Sequence, residues 1–455
     1  MYRFLDLLLC RLVRSGDLKL IDSQGKLHRY GDGTGAEVVA LIANQWLEHR
    51  LVFDPYLALG EGYMRGQLCM RRGRIYDLLA ILARNVQQRP PPYPTAAFDA
   101  LRFIIRRIMQ FNPIDRARRN AAHHYDMDGA IYDLFLDRDR QYSCGYFIDG
   151  MGLDAAQLAK KRHLAAKLAL SAGQRVLDIG SGWGGLGIYM AKAADAVVTG
   201  VTLSREQLKI SNERVVREGL QEAVRFELKD YRNLGGRFDR IVSVGMFEHV
   251  GINQYNSYFR KIRQLLTEDG VALIHTIGRS KPPTATDPFI AKYIFPGGYI
   301  PALSEMVRGI ERSDLIIADI ETLRLHYAKT LCAWRERFIV NWDKAAAIRD
   351  ESFCRMWEYY LAASEAAFRY QGLVVFQVQL VKRIDVLPLT RDYMADAEQR
   401  LFEKDRLNVR FEANLRGGPL DIGPTSPSSD QSTTVKNTAS RKVAPRRAIS
   451  EVGRT

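Results

Sequence analysis

Val176-Leu-Asp-Ile-Gly-Ser-Gly-Trp-Gly-Gly-Leu186 is the stretch of sequence that decides the fold. An apolar run ends at Asp178, and a glycine-rich turn follows before a helical pattern begins. Glycine lets the backbone approach a ligand closely and adopt dihedral angles that are closed to other residues. A strand, a glycine-rich turn and a helix in this order are typical of cofactor sites in α/β folds. The sequence therefore predicts a cofactor loop that begins at Asp178.

Strand and helix patterns alternate from residue 175 onward. Helical patterns separate most of the strand-like segments, which are residues 175–179, 197–202, 224–228, 238–244, 271–276, 315–322 and 373–381. Such alternation favours a mostly parallel sheet with helices on both faces. The expected fold class is therefore α/β, with a Rossmann-like seven-stranded sheet. A long helical stretch, residues 328–370, separates the last two predicted strands.

Composition divides the rest of the chain. The N-terminal residues predict a small α+β accessory domain with a β-hairpin across 18–31. A proline-rich break at 89–94 opens a linker in which residues 96–112 have the pattern of a basic amphipathic helix. Such a helix either rests on lipid headgroups or packs on its own protein. The predicted segments are an accessory domain at 1–88, a linker and helix at 89–122, a catalytic domain at 123–416 and a disordered tail at 417–455.

The overall charge and the cysteines limit the function. The formal net charge is +14, which favours an anionic partner such as nucleic acid or the phosphate face of a membrane. The five cysteines are scattered without a Cys-x-x-Cys pair, which fits a reducing compartment and argues against a structural zinc site. No signal peptide and no uncharged apolar run long enough to span a bilayer is recognisable, so any membrane contact is expected to be peripheral.

The Asp-x-Gly-x-Gly pattern of the loop resembles motif I of class I methyltransferases, which bind S-adenosylmethionine. In that family the loop holds the methionine and ribose portions of the cofactor. The second predicted strand ends without the usual acidic residue, so Gln207 or a hydroxyl is expected to hold the ribose. Asp230 and Tyr231 follow the third strand, where a carboxylate usually accepts from the adenine amino group. The cofactor-binding residues expected on this basis are Asp178, Gly180, Gly182, Thr202, Leu203, Gln207, Asp230 and Tyr231.

Polar residues also follow the fourth and fifth predicted strands. Glu248 and His249 come after the fourth strand, and His275 lies on the fifth. In a doubly wound sheet these positions lie beyond the carboxyl ends of neighbouring strands, near the methyl donor. A glutamate or histidine there can act as a base, or it can merely cap the adjacent helix. Pro91-Pro92-Tyr93 lacks the preceding Asn or Asp of amino methyltransferases that act on nucleic acids, which lowers the case for such a substrate.

Taken together, the motifs closely resemble those of cyclopropane-fatty-acyl-phospholipid synthases and the related mycolic acid cyclopropane synthases. The matching elements run in unbroken order: 124–126 (His-Tyr-Asp), 141–147 (Gln-Tyr-Ser-Cys-Gly-Tyr-Phe), the glycine loop, 238–251, 275–278 (His-Thr-Ile-Gly), 292–298 (Lys-Tyr-Ile-Phe-Pro-Gly-Gly) and 327–331 (Tyr-Ala-Lys-Thr-Leu). The accessory domain also looks like that of the bacterial phospholipid enzymes. Ser364 stands where some members of the family have a cysteine.

This resemblance implies methylene transfer from S-adenosylmethionine to the cis double bond of an acyl chain in a membrane phospholipid. It implies a bound bicarbonate as the base, held by the backbone amides of Cys144 and Ile277 and the side chains of Glu248, His275 and Tyr327. It further places Tyr142 and Ser143 at the cofactor, and an aromatic ring such as that of Tyr142 can stabilise a carbocation.

The expected partner is the surface of an anionic, unsaturated phospholipid bilayer rather than nucleic acid. By resemblance alone, we expect a homodimer in the bacterial cytoplasm, peripherally associated with the inner membrane. Three alternatives stay open: a lipid methyltransferase that forms methylene or methyl branches, a small-amine N-methyltransferase, and an inactive membrane- or RNA-binding module. The last two are disfavoured because the implied cofactor and bicarbonate ligands are all present.

Overall fold

The structure, a computed structural model, describes residues 2–88, residue 104 and residues 129–416. The predicted amphipathic helix at 96–112, the His-Tyr-Asp element at 124–126 and the tail at 417–455 lie outside the described residues, apart from residue 104.

The N-terminal domain has a four-stranded sheet in the order β2-β1-β3-β4. Strand β1 is antiparallel to β2, which confirms the predicted hairpin, and parallel to β3, while β3 and β4 are antiparallel. Its elements are α1 (Tyr2–Leu12), β1 (Asp17–Ile21), β2 (Leu27–Tyr30), β3 (Glu37–Ile42), α2 (Gln45–Phe53), α3 (Pro55–Met64), β4 (Leu68–Arg72) and α4 (Ile75–Gln88).

The second domain alternates strands and helices as expected. Its elements are α5 (Gly129–Asp133), α6 (Leu153–Lys167), β5 (Arg175–Ile179), α7 (Gly185–Ala194), β6 (Val197–Thr202), α8 (Arg205–Arg217), β7 (Val224–Leu228), β8 (Phe238–Val244), α9 (Tyr255–Leu265), β9 (Leu266–Arg279), α10 (Leu303–Glu311), β10 (Ile316–Leu323), α11 (His326–Val340), α12 (Trp342–Ile348), α13 (Glu351–Tyr370), β11 (Leu373–Val381) and α14 (Asp392–Arg416). Short helical turns lie at Tyr231–Asn233, Phe247–His249, Ile252–Gln254 and Ile290–Ile294.

The large sheet has seven strands in the order β7-β6-β5-β8-β9-β11-β10. The first five run parallel to one another, and β11 runs antiparallel to both β9 and β10. This confirms the predicted mostly parallel, Rossmann-like sheet. Because β5, β6, β8 and β9 are parallel, the residues that follow their carboxyl ends meet at one edge of the sheet.

Strand β10 is shifted by one residue from its predicted range, and β9 and the long helical stretch differ more from the sequence prediction. Strand β9 begins at Leu266, five residues before the predicted start, because its first residues extend the pairing with β8 across a bulge. The long helical stretch is three helices, since the chain turns at Asn341 and again before α13. The side chain of Asp350 accepts the backbone N–H of Phe353 and so fixes the start of α13.

Helix α13 joins the two domains. It packs against α3 and α4 of the N-terminal domain and against α11 of its own domain, and one apolar core runs through all of them. Polar contacts fix this packing: the Tyr63 hydroxyl donates to Glu358 at 2.5 Å, and Lys292 and Tyr293 both donate to the buried Glu61, at 2.7 and 2.9 Å. The N-terminal domain is therefore positioned directly beside the catalytic domain.

Candidate active site

The glycine loop has the backbone that its sequence predicts. Gly180, Gly182 and Gly184 all have positive φ angles, of 82°, 53° and 84°. A Cβ at Gly184 would lie 2.8 Å from the Phe226 ring, so the loop packs closely on β7 there. At Gly182 nothing lies within 4 Å of the Cβ direction. The loop therefore packs against β7 at Gly184, while the space beside Gly182 can accommodate a ligand.

Asp178 is the penultimate residue of β5 and is buried, with 1% of its surface exposed. Burial raises the pKa of its carboxyl to about 7, against an opposing effect of the nearby Lys160. Its Oδ2 atom is buried without a hydrogen-bond partner among the described residues. A buried carboxylate oxygen of this kind is stabilised by a cationic or N–H donor, and the amino group of S-adenosylmethionine is such a donor.

The ends of β6 and β7 complete one side of this cavity. The Thr202 hydroxyl donates to Oε1 of Gln207 at 2.8 Å, which fixes the orientation of the amide predicted to hold the ribose. The carboxylate of Asp230 accepts from Nε and Nη2 of Arg232, at 2.8 and 2.7 Å. Asp230, the predicted adenine contact, is thus already paired with Arg232. Each of its carboxylate oxygens can still accept another hydrogen bond.

A loop before α6 closes the cofactor cavity from the other side. The buried ammonium of Lys160, on α6, donates to Oε1 of Gln141 at 2.6 Å and to Oγ of Ser143 at 2.9 Å. Gln157 donates to the Ser143 carbonyl at 2.9 Å. Asp139 pairs with Lys161 and Arg214. Burial would raise the pKa of Asp139, but these two cations hold it at about 2. Helix α6 therefore positions Ser143, which is predicted to contact the cofactor, together with Gln141.

Glu248 and Ile277 meet at the carboxyl ends of β8 and β9. The backbone N–H of Ile277 donates to Oε1 of Glu248 at 2.6 Å. The other oxygen, Oε2, is buried without a hydrogen-bond partner among the described residues. Burial raises the pKa of Glu248 to about 7, and the Ile277 N–H opposes that rise. The carboxyl group is thus poised to exchange a proton near neutral pH.

His275 lies on β9, two residues before Ile277, and is buried. Its Nδ1 is 3.2 Å from Nε2 of Gln377, which faces it from β11. Burial lowers the pKa of His275 to about 3, so the ring is neutral at physiological pH. Because the Gln377 amide donates to Nδ1, the ring proton is placed on Nε2.

The cysteine of the site is buried and unreactive. Cys144 has no exposed surface, and its thiol donates to the Gly145 carbonyl at 3.3 Å. Burial raises the pKa of the thiol. Since the thiolate is the nucleophilic form, Cys144 does not act as a nucleophile here. A role for this residue through its backbone amide, as the sequence analysis implies, is compatible with such a thiol.

Aromatic rings surround the point where the acceptor would lie. The Tyr142 ring stacks on Trp334 with centroids 5.2 Å apart, and its hydroxyl lies 2.9 Å from that of Tyr360. Tyr327 packs against Phe368 at 4.8 Å and against Trp334 at 5.8 Å. Ring faces of this kind attract a developing positive charge.

Two cavities meet at this place. A cavity of about 180 Å³ is lined by the glycine loop and the ends of β6 and β7. A larger, mainly apolar cavity of about 770 Å³ is lined by Cys144, Glu248, His275, Ile277 and Tyr327. Both cavities are bordered by Tyr142, Ser143, Gly245 and His249. The structure thus places every residue predicted for the cofactor on the small cavity and every predicted catalytic residue on the large one.

Two further residues of the site were missed by the sequence analysis. Tyr360 lines the large cavity and contacts Tyr142, and Gln377 fixes the ring of His275. Both come from the C-terminal part of the domain, and neither lies in a quoted motif. Gln377 pairs with His275 only through the antiparallel register of β11 and β9. Alternating polar residues in an otherwise apolar strand, Gln377 and Gln379, were the available signal.

A sheet of this strand order, with a glycine-rich cofactor cavity at the carboxyl end of β5, defines an S-adenosylmethionine-dependent methyltransferase, and this protein is an enzyme of that class. The chain belongs to the mycolic acid cyclopropane synthetase family, whose model matches residues 113–378.

Its relatives include enzymes of lipid modification. The cyclopropane-fatty-acyl-phospholipid synthase of Escherichia coli (strain K12) is 39% identical over 336 residues, which cover 74% of this chain and 86% of that protein. The tuberculostearic acid methyltransferase UfaA1 of Mycobacterium tuberculosis is 36% identical over 356 residues, which cover 74% of this chain and 81% of that protein. Among solved structures, the mycolic acid cyclopropane synthase CmaA1 complexed with SAH and CTAB matches 60% of this chain and 99% of its own, with 31% identity and a TM-score of 0.56.

Proposed function

We propose that the enzyme transfers a methylene group from S-adenosylmethionine to the cis double bond of an unsaturated acyl chain in a membrane phospholipid, which forms a cyclopropane ring. The observation that carries this proposal is the joining of the mainly apolar cavity of about 770 Å³ to the cofactor cavity at Tyr142 and Ser143. An apolar cavity of this size suits a hydrocarbon chain. A small polar amine would leave most of that surface without a partner.

The cofactor supplies an electrophilic methyl group on a sulfonium when it is bound. Asp178 and the glycine loop would hold its amino acid portion, and Gln207 with Asp230 and Tyr231 would hold its nucleoside. Neither His275 nor His249 competes as a strong base, because burial lowers their pKa values to about 3 and about 4. The Cys144 thiol stays protonated for the same reason. The side chains of the site are therefore poor acceptors of the methyl group, which leaves it available to a weak nucleophile such as a π bond.

A bicarbonate ion would supply the base that removes a proton as the ring closes. The backbone amide of Cys144 and the side chains of Glu248, His275 and Tyr327 would hold it. The Ile277 N–H, which donates here to Oε1 of Glu248, would be shared between that oxygen and the ion. The buried Oε2 of Glu248 supports this assignment, since it needs a donor and the carboxyl pKa of about 7 allows either protonation state. The neutral ring of His275, with its proton on Nε2, can donate to an anion.

We infer a membrane surface as the place of reaction. The net charge of +14 attracts anionic headgroups, each basic residue near the surface contributing on the order of 1 kcal/mol. Among residues 2–88 and 129–416, no helix is long and apolar enough to cross a bilayer. A peripheral enzyme on the cytoplasmic face of the inner membrane, acting as a homodimer and without a nucleic-acid partner, is the assembly that we propose.

A second product stays a candidate because a specific relative favours it. UfaA1, at 36% identity, is named for methylation of a fatty acid rather than for cyclopropanation. The same intermediate cation, after a hydride shift, gives a methylene-branched chain when the new methyl group loses a proton, and a saturated methyl branch would need a further two-electron reduction. Both products lose a proton from the new methyl group, so the order of proton loss and hydride shift decides between the ring and the methylene branch.

The test is incubation of purified protein with S-adenosylmethionine and vesicles of cis-unsaturated phospholipid, followed by mass spectrometry and proton NMR of the lipids. A gain of one CH2 with upfield ring protons supports cyclopropanation. The same gain with vinylidene protons assigns methylene branching instead. Retained cofactor binding without any lipid product would contradict the lipid proposal and favour an amine substrate.

A further inference from the structure

The large cavity extends beyond the catalytic residues into the N-terminal domain. There it is lined by α1, by the inner face of the small sheet and by α3 and α4, through residues that include Leu8, Leu12, Leu59, Leu82 and Val86. The family model begins at residue 113, so this part of the lining lies outside the family match. The accessory domain thus contributes directly to the same space as the acceptor site.

One face of α13 forms the opposite wall. Tyr360, Ala363, Ala367 and Gln371 line the cavity at intervals of three or four residues, which places them on one side of the helix. The side chains of Ala363, Ser364 and Ala367 are small, so they leave space between α13 and the N-terminal domain. Tyr359 to Gln371 spans roughly 18 Å of helix at 1.5 Å per residue. The cavity is therefore long and runs along α13.

The two ends of the cavity differ in polarity. The catalytic end contains Glu248, His275, Arg279 and Asp287, and residues 280–288 beside it are largely exposed. The lining contributed by the N-terminal domain is aliphatic apart from Tyr56 and Pro55, and it contains no charged residue. Burying a headgroup or an ester there would remove polar atoms from water without a partner. A saturated hydrocarbon segment is the ligand that fits this end.

We propose that the N-terminal domain binds the methyl-terminal segment of the acyl chain, beyond the double bond, and so selects chain length. This inference rests on the proposed lipid function. The double bond must lie where the two cavities meet, at Tyr142 and Ser143. From there the ester end would lead to the polar, exposed residues 280–288, and the methyl end would lead away from them, into the space between α13 and the aliphatic lining of the N-terminal domain. Each methylene that is buried adds to the binding free energy, which is the source of the selectivity.

A photolabelling experiment tests the location without any substitution. The full-length protein is mixed with phospholipid vesicles that contain a trace of lipid whose cis-unsaturated acyl chain has a diazirine at its methyl end. After irradiation, peptide mass spectrometry should find the label on α1 or α4, near Leu8, Leu12, Leu82 or Val86. Label confined to the catalytic domain would overturn the inference, and so would label confined to α1 or α4 when the diazirine is on the chain's ester end only.

Substitutions test the selectivity. Ala363→Phe changes a residue on α13 of the catalytic domain, and Leu8→Trp changes one on α1 of the N-terminal domain. Both place a large side chain in the aliphatic part of the cavity. Both variants should lower kcat/KM for acyl chains with a long methyl-terminal segment by about 10-fold or more relative to chains with a short one. Leu7→Trp is the matched control: Leu7 is the neighbouring residue on the same helix, but 56% of its surface is exposed, and it does not line the cavity.

The results separate this inference from the proposed function. If the wild-type enzyme makes no lipid product, the proposed function fails, while the photolabel still reports where the chain binds. If the wild type makes the product and the variants fold normally, an unchanged preference for chain length refutes the role of the N-terminal domain. Thermal unfolding of each variant shows whether it has folded. If a variant has not folded, photolabelling of the wild-type protein decides whether the N-terminal domain binds the methyl end of the chain.

Discussion

Oε1 of Glu248 accepts the backbone N–H of Ile277 at 2.6 Å, across the carboxyl ends of two neighbouring parallel strands. This contact ties the carboxyl group to β9 and leaves Oε2 as the oxygen without a partner among the described residues. It also brings Glu248 and His275 to one edge of the large cavity, because Val244 and His275 are paired in the register of β8 and β9. The reactivity of the site depends on this pairing of strands.

Glu248→Gln should lower kcat of the lipid reaction by roughly 100-fold, within the range for loss of a group that exchanges protons in catalysis. The amide keeps the contact with Ile277 but cannot take up or release a proton. Cofactor affinity should change little, because Glu248 lines only the large cavity. Steady-state kinetics with vesicles and calorimetric titration of S-adenosylmethionine measure the two effects. Full activity in this variant would remove Glu248 from the mechanism.

The same substitution should stabilise the fold above neutral pH. The pKa of Glu248 is about 7 in the folded protein and 4.5 as a reference, so the folded state binds the proton more tightly. Stability therefore falls as the pH rises from 4.5 to 7, and the ionised carboxylate costs the folded state roughly 3 kcal/mol above that range. Urea unfolding at pH 8 should show a gain of about 1 to 3 kcal/mol for Glu248→Gln, and no gain near pH 4.

Gln377→Leu should reduce kcat by roughly 10-fold while the KM for S-adenosylmethionine stays unchanged. Gln377 orients the His275 ring through the contact at 3.2 Å, and the net loss of one such hydrogen bond is about 1 kcal/mol, which corresponds to roughly 10-fold. Gln377→Glu is the more informative variant, because a carboxylate accepts from Nδ1–H and so shifts the ring proton away from Nε2. It should also raise the pKa of His275, which NMR titration of the ring detects. An unaltered His275 titration in that variant would show that Gln377 does not position the ring.

Much of the fold was predictable because local patterns specify it. The strands at 175–179, 197–202, 224–228, 238–244 and 373–381 have the predicted boundaries, since each is a short apolar run between turn or helix signals. The break within the stretch 328–370 was not predicted, because Asn341 and Asp350 interrupt a helical pattern without proline or glycine. Helix α14 was not predicted either. Its sequence is rich in the helix formers Ala, Glu, Arg and Leu, so the helix itself had a local signal, whereas its docking on α6 and α7, distant in sequence, did not.

The site was predictable to the extent that its residues sit at strand ends. Asp178, Glu248 and His275 follow from the order of parallel strands, which sequence spacing reveals. Tyr360 and Gln377 depend on how α13 packs and on the register of an antiparallel strand, and spacing does not specify either. The reach of the large cavity into the N-terminal domain depends on packing between two domains, which no local pattern encodes.

Lys160→Met should weaken binding of S-adenosylmethionine by roughly 10-fold, because it removes two hydrogen bonds that hold Gln141 and Ser143 at the cofactor cavity. Burial lowers the pKa of Lys160 to about 8, so the wild-type affinity should also fall as the pH rises through 8 and the ammonium loses its proton. Lys209→Met is the matched control, since Lys209 is exposed and the change in net charge is the same. Equal affinities for the two variants in calorimetry would contradict the role of Lys160.

Asp139→Asn should destabilise the protein by about 3 kcal/mol, because it leaves Lys161 and Arg214 without their shared carboxylate. The pKa of Asp139 is lowered to about 2, so its contribution to stability is present above pH 4 and is lost as the pH falls towards 2. Asp133→Asn is the control: Asp133 pairs with Arg140 but is half-exposed, and its loss should cost less than about 1 kcal/mol. Urea unfolding at pH 7 compares the stabilities of the two variants. Similar losses of stability would show that the ion pairs of Asp139 stabilise the protein no more than that of Asp133.

His163 should make the docking of α14 depend on pH. Its Nε2 lies 2.7 Å from Glu321 on β10, and its Nδ1 contacts Glu398 on α14, with Lys167 on α6 also paired to Glu321. Burial would lower the pKa of His163, but the two carboxylates raise it above 6.5. The protonated ring therefore stabilises the docked helix fully below pH 6.5, and this contribution is lost as the pH rises through the folded-state pKa.

Hydrogen exchange of residues 392–407 measures this docking. Protection should fall with rising pH after correction for the intrinsic exchange rate, and Glu398→Gln should make it lower and less dependent on pH. Lys404→Ala removes only a partly exposed pair with Asp195 and should leave the pH dependence as it is. The Arg162 pair with Asp405, which is buried, should keep the helix partly docked at high pH in every variant. Protection that does not vary with pH in the wild type would show that the charge of His163 does not stabilise α14.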